Sequence, residues 1–136
     1  MYKLLYIIIC QVRGDLVELR IDLVDRKLNT INTVIKNLEA NSKVKHRIGG
    51  TTNQNVNLEI EFQTKRKELL EWAKSVTYEE VEAKKEELEG TLTSEELNCK
   101  YGTVKGLTNE TQNTIAYIED LEIALGIHPI IKELGV

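Results

Sequence analysis

Catalysis needs nucleophiles, acid–base pairs or metal ligands gathered in one place, and this sequence supplies them thinly. Its two histidines, His46 and His128, stand some eighty positions apart, with no acidic residues at ligand spacing around them. Cys10 and Cys99 lack the short spacing of a metal site or redox pair, so they read as two reduced thiols. Gly49-Gly50 is not followed by the Lys-Ser/Thr of a phosphate cradle, and neither a nucleophile elbow nor a dinucleotide fingerprint occurs. Paired carboxylates can do acid–base work. Here Glu79, Glu80, Glu82, Glu86, Glu87 and Glu89 are interleaved with Lys84 and Lys85, the pattern of a solvated helix face. Arg13-Gly14-Asp15 spells an integrin-recognition tripeptide, but three residues in a chain with no extracellular mark read as the turn before a helix. The expectation is a non-enzyme, with no catalytic residue, cofactor or metal. A site assembled from dispersed carboxylates is the remaining route to catalysis.

Charge is the stronger signal. Between residues 43 and 67, Lys43, Lys45, Arg47, Lys65, Arg66 and Lys67 face only Glu59 and Glu61, a local net charge of +4. Residues 79 to 96 carry eight glutamates against two lysines, a local net charge of −6. The six cations are the candidate contact for phosphate, nucleic acid or an acidic partner. Phe62 is the one aromatic beside them, which leaves no stacking platform for single strands. The overall charge of −4 also argues against a general nucleic-acid binder.

The elements that would position these residues follow from periodicity. Val17, Ile21, Val24, Leu28, Ile31, Ile35 and Leu38 alternate four and three apart, the a/d spacing of consecutive heptads. Asp15 as N-cap, with Glu18 three residues on, predicts that this helix starts near Leu16. A rival reading uses the alternation of Val17, Leu19, Ile21 and Leu23 to make a hairpin of 3–12 with 16–24. Residues 42–57, with Gly49-Gly50 and a polar run, read as a loop or as a short hairpin of 44–48 with 56–62. Leu58, Phe62, Leu69, Trp72 and Val76 set out a second helix. Thr77 with Glu80 opens a third that Gly90 ends. Ser94 caps a further helix carrying Leu97, Tyr101 and Val104. A last long helix from Asn109 carries Ile115, Ile118, Leu121 and Leu125, with Gly126 as its left-handed cap. Pro129 then opens a terminal turn.

At 136 residues the chain suits one domain with a real core, here an all-α antiparallel helical bundle with coiled-coil-like heptads over 1–136. Residues 1–14 form an apolar arm, read as a buried strand, as part of the hairpin above, as the first turns of a helix, or as an interface arm. Its run Leu4–Cys10 is about seven residues, far below the roughly 20 that cross a bilayer. Ile9 is the wrong shape for a signal-peptide cleavage site, so the expected place is the cytoplasm.

The heptad seam, together with Trp72 as a core residue or interface anchor, makes a structural or assembly subunit the first functional reading. It would act through helix–helix contact in a homo-oligomer or a larger complex. Thr108, Thr111 and Thr114 thin the apolar side of the last helix, as if a second chain completed it. The alternative is a small regulatory module that contacts nucleic acid through the basic residues.

Overall fold

Six helices account for the regular structure, and no strand occurs among the described residues. The computed structural model describes residues 18–47, 53–102 and 106–133, with side chains described outside 42–47, 53–55 and 132–133. The helices are α1 (Ile21–Arg47), α2 (Asn53–Lys74), α3 (Tyr78–Glu89), α4 (Ser94–Leu97), α5 (Asn109–Leu125) and α6 (Ile130–Glu133). The protein is all-α. Val17 and the predicted arm lie outside the described residues.

α1 starts at Ile21, five residues later than the Asp15 capping box predicts. Arg20 takes over the cap. Its carbonyl accepts from Leu23 and Val24, and its own N–H donates to the Ala124 carbonyl at 2.8 Å, joining the head of α1 to the last turn of α5. Its guanidinium also grips Asp22, which holds that carboxyl below its ordinary range. A tertiary hydrogen bond that satisfies a terminal donor thus outranks the local sequence signal. Residues 21–24 are helical, so the 16–24 strand of the rival hairpin does not form.

The 42–57 loop is also corrected. α1 continues to Arg47 and α2 begins at Asn53, which removes the 44–48/56–62 hairpin. The reason is that polarity does not stop a helix. From Ile21 to Arg47 and from Asn53 to Lys74 the sequence has no Gly or Pro to break the ladder.

The a/d seam turns inward. Val24, Leu28 and Ile31 are buried against Leu70 and Ala73 of α2, Val81 of α3, and Leu121, Ala124 and Leu125 of α5. Ile21, Ile35, Leu38 and Trp72 are half-buried at the margins. An ion pair of 2.6 Å between Lys74 in the last turn of α2 and Asp25 near the start of α1 sets these two helices antiparallel. Arg66–Asp120 and Phe62–Tyr117, met in reverse chain order from the bottom, set α2 and α5 running the same way. α3 packs against α5.

Capping chemistry accounts for the shorter elements. Thr77 accepts from the Glu80 N–H and opens α3, and Gly90 follows its end, both as expected. The next cap is Thr93, one residue before Ser94, in a reciprocal box with Glu96. Donation from the Thr93 N–H, then from the Thr111 hydroxyl, holds the Glu96 carboxyl below its ordinary range. The threonines that thin α5 therefore have work of their own. Thr108 is its N-cap, Thr111 reaches Glu96, and Thr114 bonds the Glu110 carbonyl one turn back. α4 stops at Leu97, and no helix extends to Tyr101.

Gly126 ends α5 at φ +77°, and a Cβ there would sit 3.1 Å from Cγ of Arg20. Gly126→Ala combines left-handed strain with a crowded Arg20, and is expected to lower unfolding stability by about 1–2 kcal/mol. Chemical denaturation of the two proteins checks this.

Candidate functional site

α2 and α5 are clamped at one end and part toward their N-termini. The clamp is an ion pair: Nε and a terminal nitrogen of Arg66 donate to the two carboxylate oxygens of Asp120 at 2.8 and 2.9 Å. Gln63 supports it, accepting from Arg66 and donating to Glu59. Burial opposes the guanidinium charge, but the Asp120 hydrogen bonds and charge overcome it and raise the Arg66 pKa. Charge-assisted bidentate pairing of this kind fixes geometry as well as contributing energy. Half-buried Lys27 lies in the same electrostatic field, where burial first and Arg66 second depress its pKa.

One turn above, Phe62 and Tyr117 meet at 5.7 Å with their rings tilted. Above that the helices separate into an open groove of about 940 Å³, with Leu58 on one lip and Asn109 and Asn113 on the other. Tyr101, His128, Pro129 and Ile130 form the remaining wall.

That wall is built with strain. Tyr101 has φ +65°, the one positive value at a non-glycine position among the described residues. Such a conformation persists only where surrounding contacts over-determine it. Its N–H donates to Glu119 at 2.9 Å, its hydroxyl donates to Glu122, and its ring meets His128 edge-on at 5.0 Å. Glu122 is buried and also accepts from Lys100 at 3.0 Å, while Lys100 and Lys85 both pair with Glu89. The network locks the 98–102 turn onto α5 and α3. Burial first, then donation to Glu122 and its charge, push the Tyr101 phenol up to about 12. Because the folded value lies above the ordinary 10.0, the fold favours the neutral phenol. Its contribution is complete below pH 10 and is lost as pH rises from 10 toward 12. Tyr101→Phe is expected to cost about 1 kcal/mol near neutrality and to flatten that alkaline loss. Urea titrations from pH 8 to 11.5 read both effects.

Comparison with known proteins finds no match. No family model, curated protein or solved structure aligns significantly with the chain. The site must therefore be read from its own geometry.

Three of the six predicted basic residues, Lys65, Arg66 and Lys67, have described side chains. Lys65 is exposed and lines the groove, Arg66 is engaged with Asp120, and Lys67 is half-buried. Lys43, Lys45 and Arg47 fall on the last turns of α1, where side chains lie outside the description. Lys65 stands among Glu59, Glu61 and Glu119, so the charged lining of the groove carries a net charge of −2. Among the described residues, no three His, Cys, Asp or Glu side chains are placed to hold a metal ion. No helix among them is long and apolar enough to cross a membrane.

Sequence reasoning placed Tyr101 on a helix face and missed its role in the wall. One signal was available: Glu119 and Glu122, three apart on the largely apolar second half of α5, needed donors from elsewhere. Asp120 beside them posed the same demand, which Arg66 meets.

Proposed function

We propose that this chain is a non-enzymatic assembly subunit, an antiparallel helical bundle with heptad packing along α1, and that it associates with other protein through the α2–α5 groove. One observation carries the reading. Of the four large hydrophobic side chains exposed among the described residues, three line this groove: Leu58 at 59%, Tyr101 at 49% and Ile130 at 40%. Scattered apolar residues on a surface need no explanation, whereas apolar residues gathered in a concave, polar-rimmed groove are the mark of a docking surface. Helix-in-groove contact is the physical mode that such a shape supports. The fourth residue, Ile127 at 51%, lies just beyond the cap of α5 and is not part of the groove lining.

The nucleic-acid reading draws less support, since Arg66 is held by Asp120 and Lys65 is outnumbered by carboxylates. A cytoplasmic setting with both cysteines reduced fits the assembly role.

The test is solution mass by light scattering over a concentration series at low and high salt. The wild-type chain is expected to associate, and Leu58→Asp to return it to monomer, because a buried unpaired carboxylate would cost several kcal/mol at the interface. An oligomer indifferent to Leu58→Asp, or a monomer at every concentration, would overturn the reading.

A further inference from the structure

A second, smaller cavity lies where α1 meets the end of α5 and α6. Leu23, Arg26, Lys27 and Thr30 form its α1 side, at spacings that put all four on one face of the helix. Ile123 of α5, with Ile130 and Ile131 of α6, completes the described lining around about 200 Å³. Leu23 and Ile131 are buried, Ile123 and Lys27 are half-buried, and Arg26 is exposed. The Thr30 hydroxyl donates to the Arg26 carbonyl, which leaves the two cations as the polar groups that could hold a ligand. We propose that this cavity binds a small monocarboxylate with a short aliphatic tail. The tail lies against Leu23, Ile123 and Ile131, and the carboxylate is held by Lys27 and Arg26.

The charge argument starts from what the neighbouring carboxylates already do. On α1 itself, Asp22 is gripped by Arg20 and Asp25 is paired with Lys74. Across the cavity, Asp120 gives both oxygens to Arg66, and Glu119 accepts from the Tyr101 N–H. Asp120 and Glu119 still attract the Lys27 ammonium, but burial first and the Arg66 charge second outweigh them and depress its pKa. Lys27 is therefore a half-buried cation in surroundings that disfavour its charge. An anion placed beside it reverses that penalty, and a carboxylate does so with charge-assisted hydrogen bonds.

The aliphatic wall decides the rest of the ligand. An inorganic anion would leave Leu23, Ile123 and Ile131 uncovered, whereas each methylene laid against them contributes up to about 0.8 kcal/mol. Size sets the upper limit. About 200 Å³ is room for roughly six or seven water-sized groups, which suits a carboxylate on a short chain and not a drug-sized molecule. This cavity shares only Ile130 with the described lining of the α2–α5 groove, so the proposal does not depend on that groove being a docking surface.

Hexanoate is the probe, titrated into the full-length chain and followed by the isoleucine methyl signals in NMR spectra. Acetate supplies the charge without the tail, and hexanol supplies the tail without the charge. The expected result is a saturable shift of the Ile123, Ile130 and Ile131 signals, with a Kd of about 1 mM or tighter. Acetate and hexanol should each bind at least about tenfold more weakly. Lys27→Met and Arg26→Gln should each weaken hexanoate about tenfold, the size of one charge-assisted hydrogen bond. Lys27→Met removes a disfavoured charge and keeps an aliphatic stem, and Arg26 is exposed, so both variants should keep the wild-type melting temperature. Hexanol binding as well as hexanoate, hexanoate indifferent to both substitutions, or no saturable shift would overturn the proposal. Tighter binding of a capped tripeptide ending in valine would assign the site to a protein C-terminus and overturn the free ligand. Leu58→Asp leaves this cavity intact, so hexanoate binding and association through the groove fail or survive separately.

Discussion

Asp120→Asn is expected to lower unfolding stability by about 3 kcal/mol, among the largest effects of any polar substitution in the chain. The Asp120 side chain is 1% exposed and that of Arg66 14%, so removing the carboxylate charge strands a largely buried guanidinium beside Phe62. For a domain of this size that corresponds to a fall of about 10 °C in melting temperature. The paired replacement Arg66→Met with Asp120→Leu separates geometry from energy. It removes both desolvated charges together, and is expected to come within about 1 kcal/mol of wild type. Thermal melts and urea titrations of the single and double variants make the comparison. A single-variant loss below 1 kcal/mol would show that the clamp between α2 and α5 is not held by this pair.

The second large effect belongs to the heptad seam. Ile31→Ala is expected to cost about 3 kcal/mol, since Ile31 is 1% exposed and its removal leaves a cavity between α1 and the helices around it. Leu38→Ala, two positions further along the same seam, is half-buried and is expected to cost under about 1 kcal/mol. Neither change should alter the solution mass. The contrast tests a specific claim: that the central part of the seam is core of this chain, and that its pattern fades toward the tip of α1. Equal losses at both positions, read from denaturant midpoints at constant slope, would contradict it.

Much of the fold was legible because its signals were local. Thr77 and Gly90 bound α3, and Asn109 and Gly126 bound α5, where capping side chains or a left-handed glycine settle the boundary within a few residues. The seam Val24, Leu28 and Ile31 was legible as an apolar stripe, though the stripe cannot say whether its cover comes from this chain or another. The errors have a common cause, which is long-range satisfaction of polar groups. α1 begins just after Arg20, whose N–H is taken by the Ala124 carbonyl more than a hundred residues later, while Asp15 lies outside the described residues. Tyr101 leaves the predicted helix because Glu119 and Glu122 on α5 accept its N–H and hydroxyl. Polar 53–57 reads as a loop by composition, yet α2 starts at Asn53 and Val56 is buried.

The candidate site was legible only in fragments. Leu58 and Phe62 appeared as ordinary seam positions of one helix, and nothing in their spacing shows that α5 diverges from them. Arg66 was grouped with the cations Lys65 and Lys67, because neighbours in sequence look like one patch. On a helix, successive residues point about 100° apart, which is why one of the three lines the groove and another is buried in the clamp. The acidic character of the groove was hidden for the same reason, since it is assembled from Glu59, Glu61 and Glu119 on two helices.

On the proposed function, α1's seam holds this chain together while the α2–α5 groove joins it to another. Light scattering and thermal melting on three proteins, wild type, Ile31→Ala and Leu58→Asp, test it most directly. Ile31→Ala is expected to keep the wild-type association and lose melting temperature, while Leu58→Asp is expected to keep the melting temperature of the wild-type monomer and lose association. The reverse pattern, with mass falling in Ile31→Ala and unchanged in Leu58→Asp, would place the interface on the seam instead of the groove.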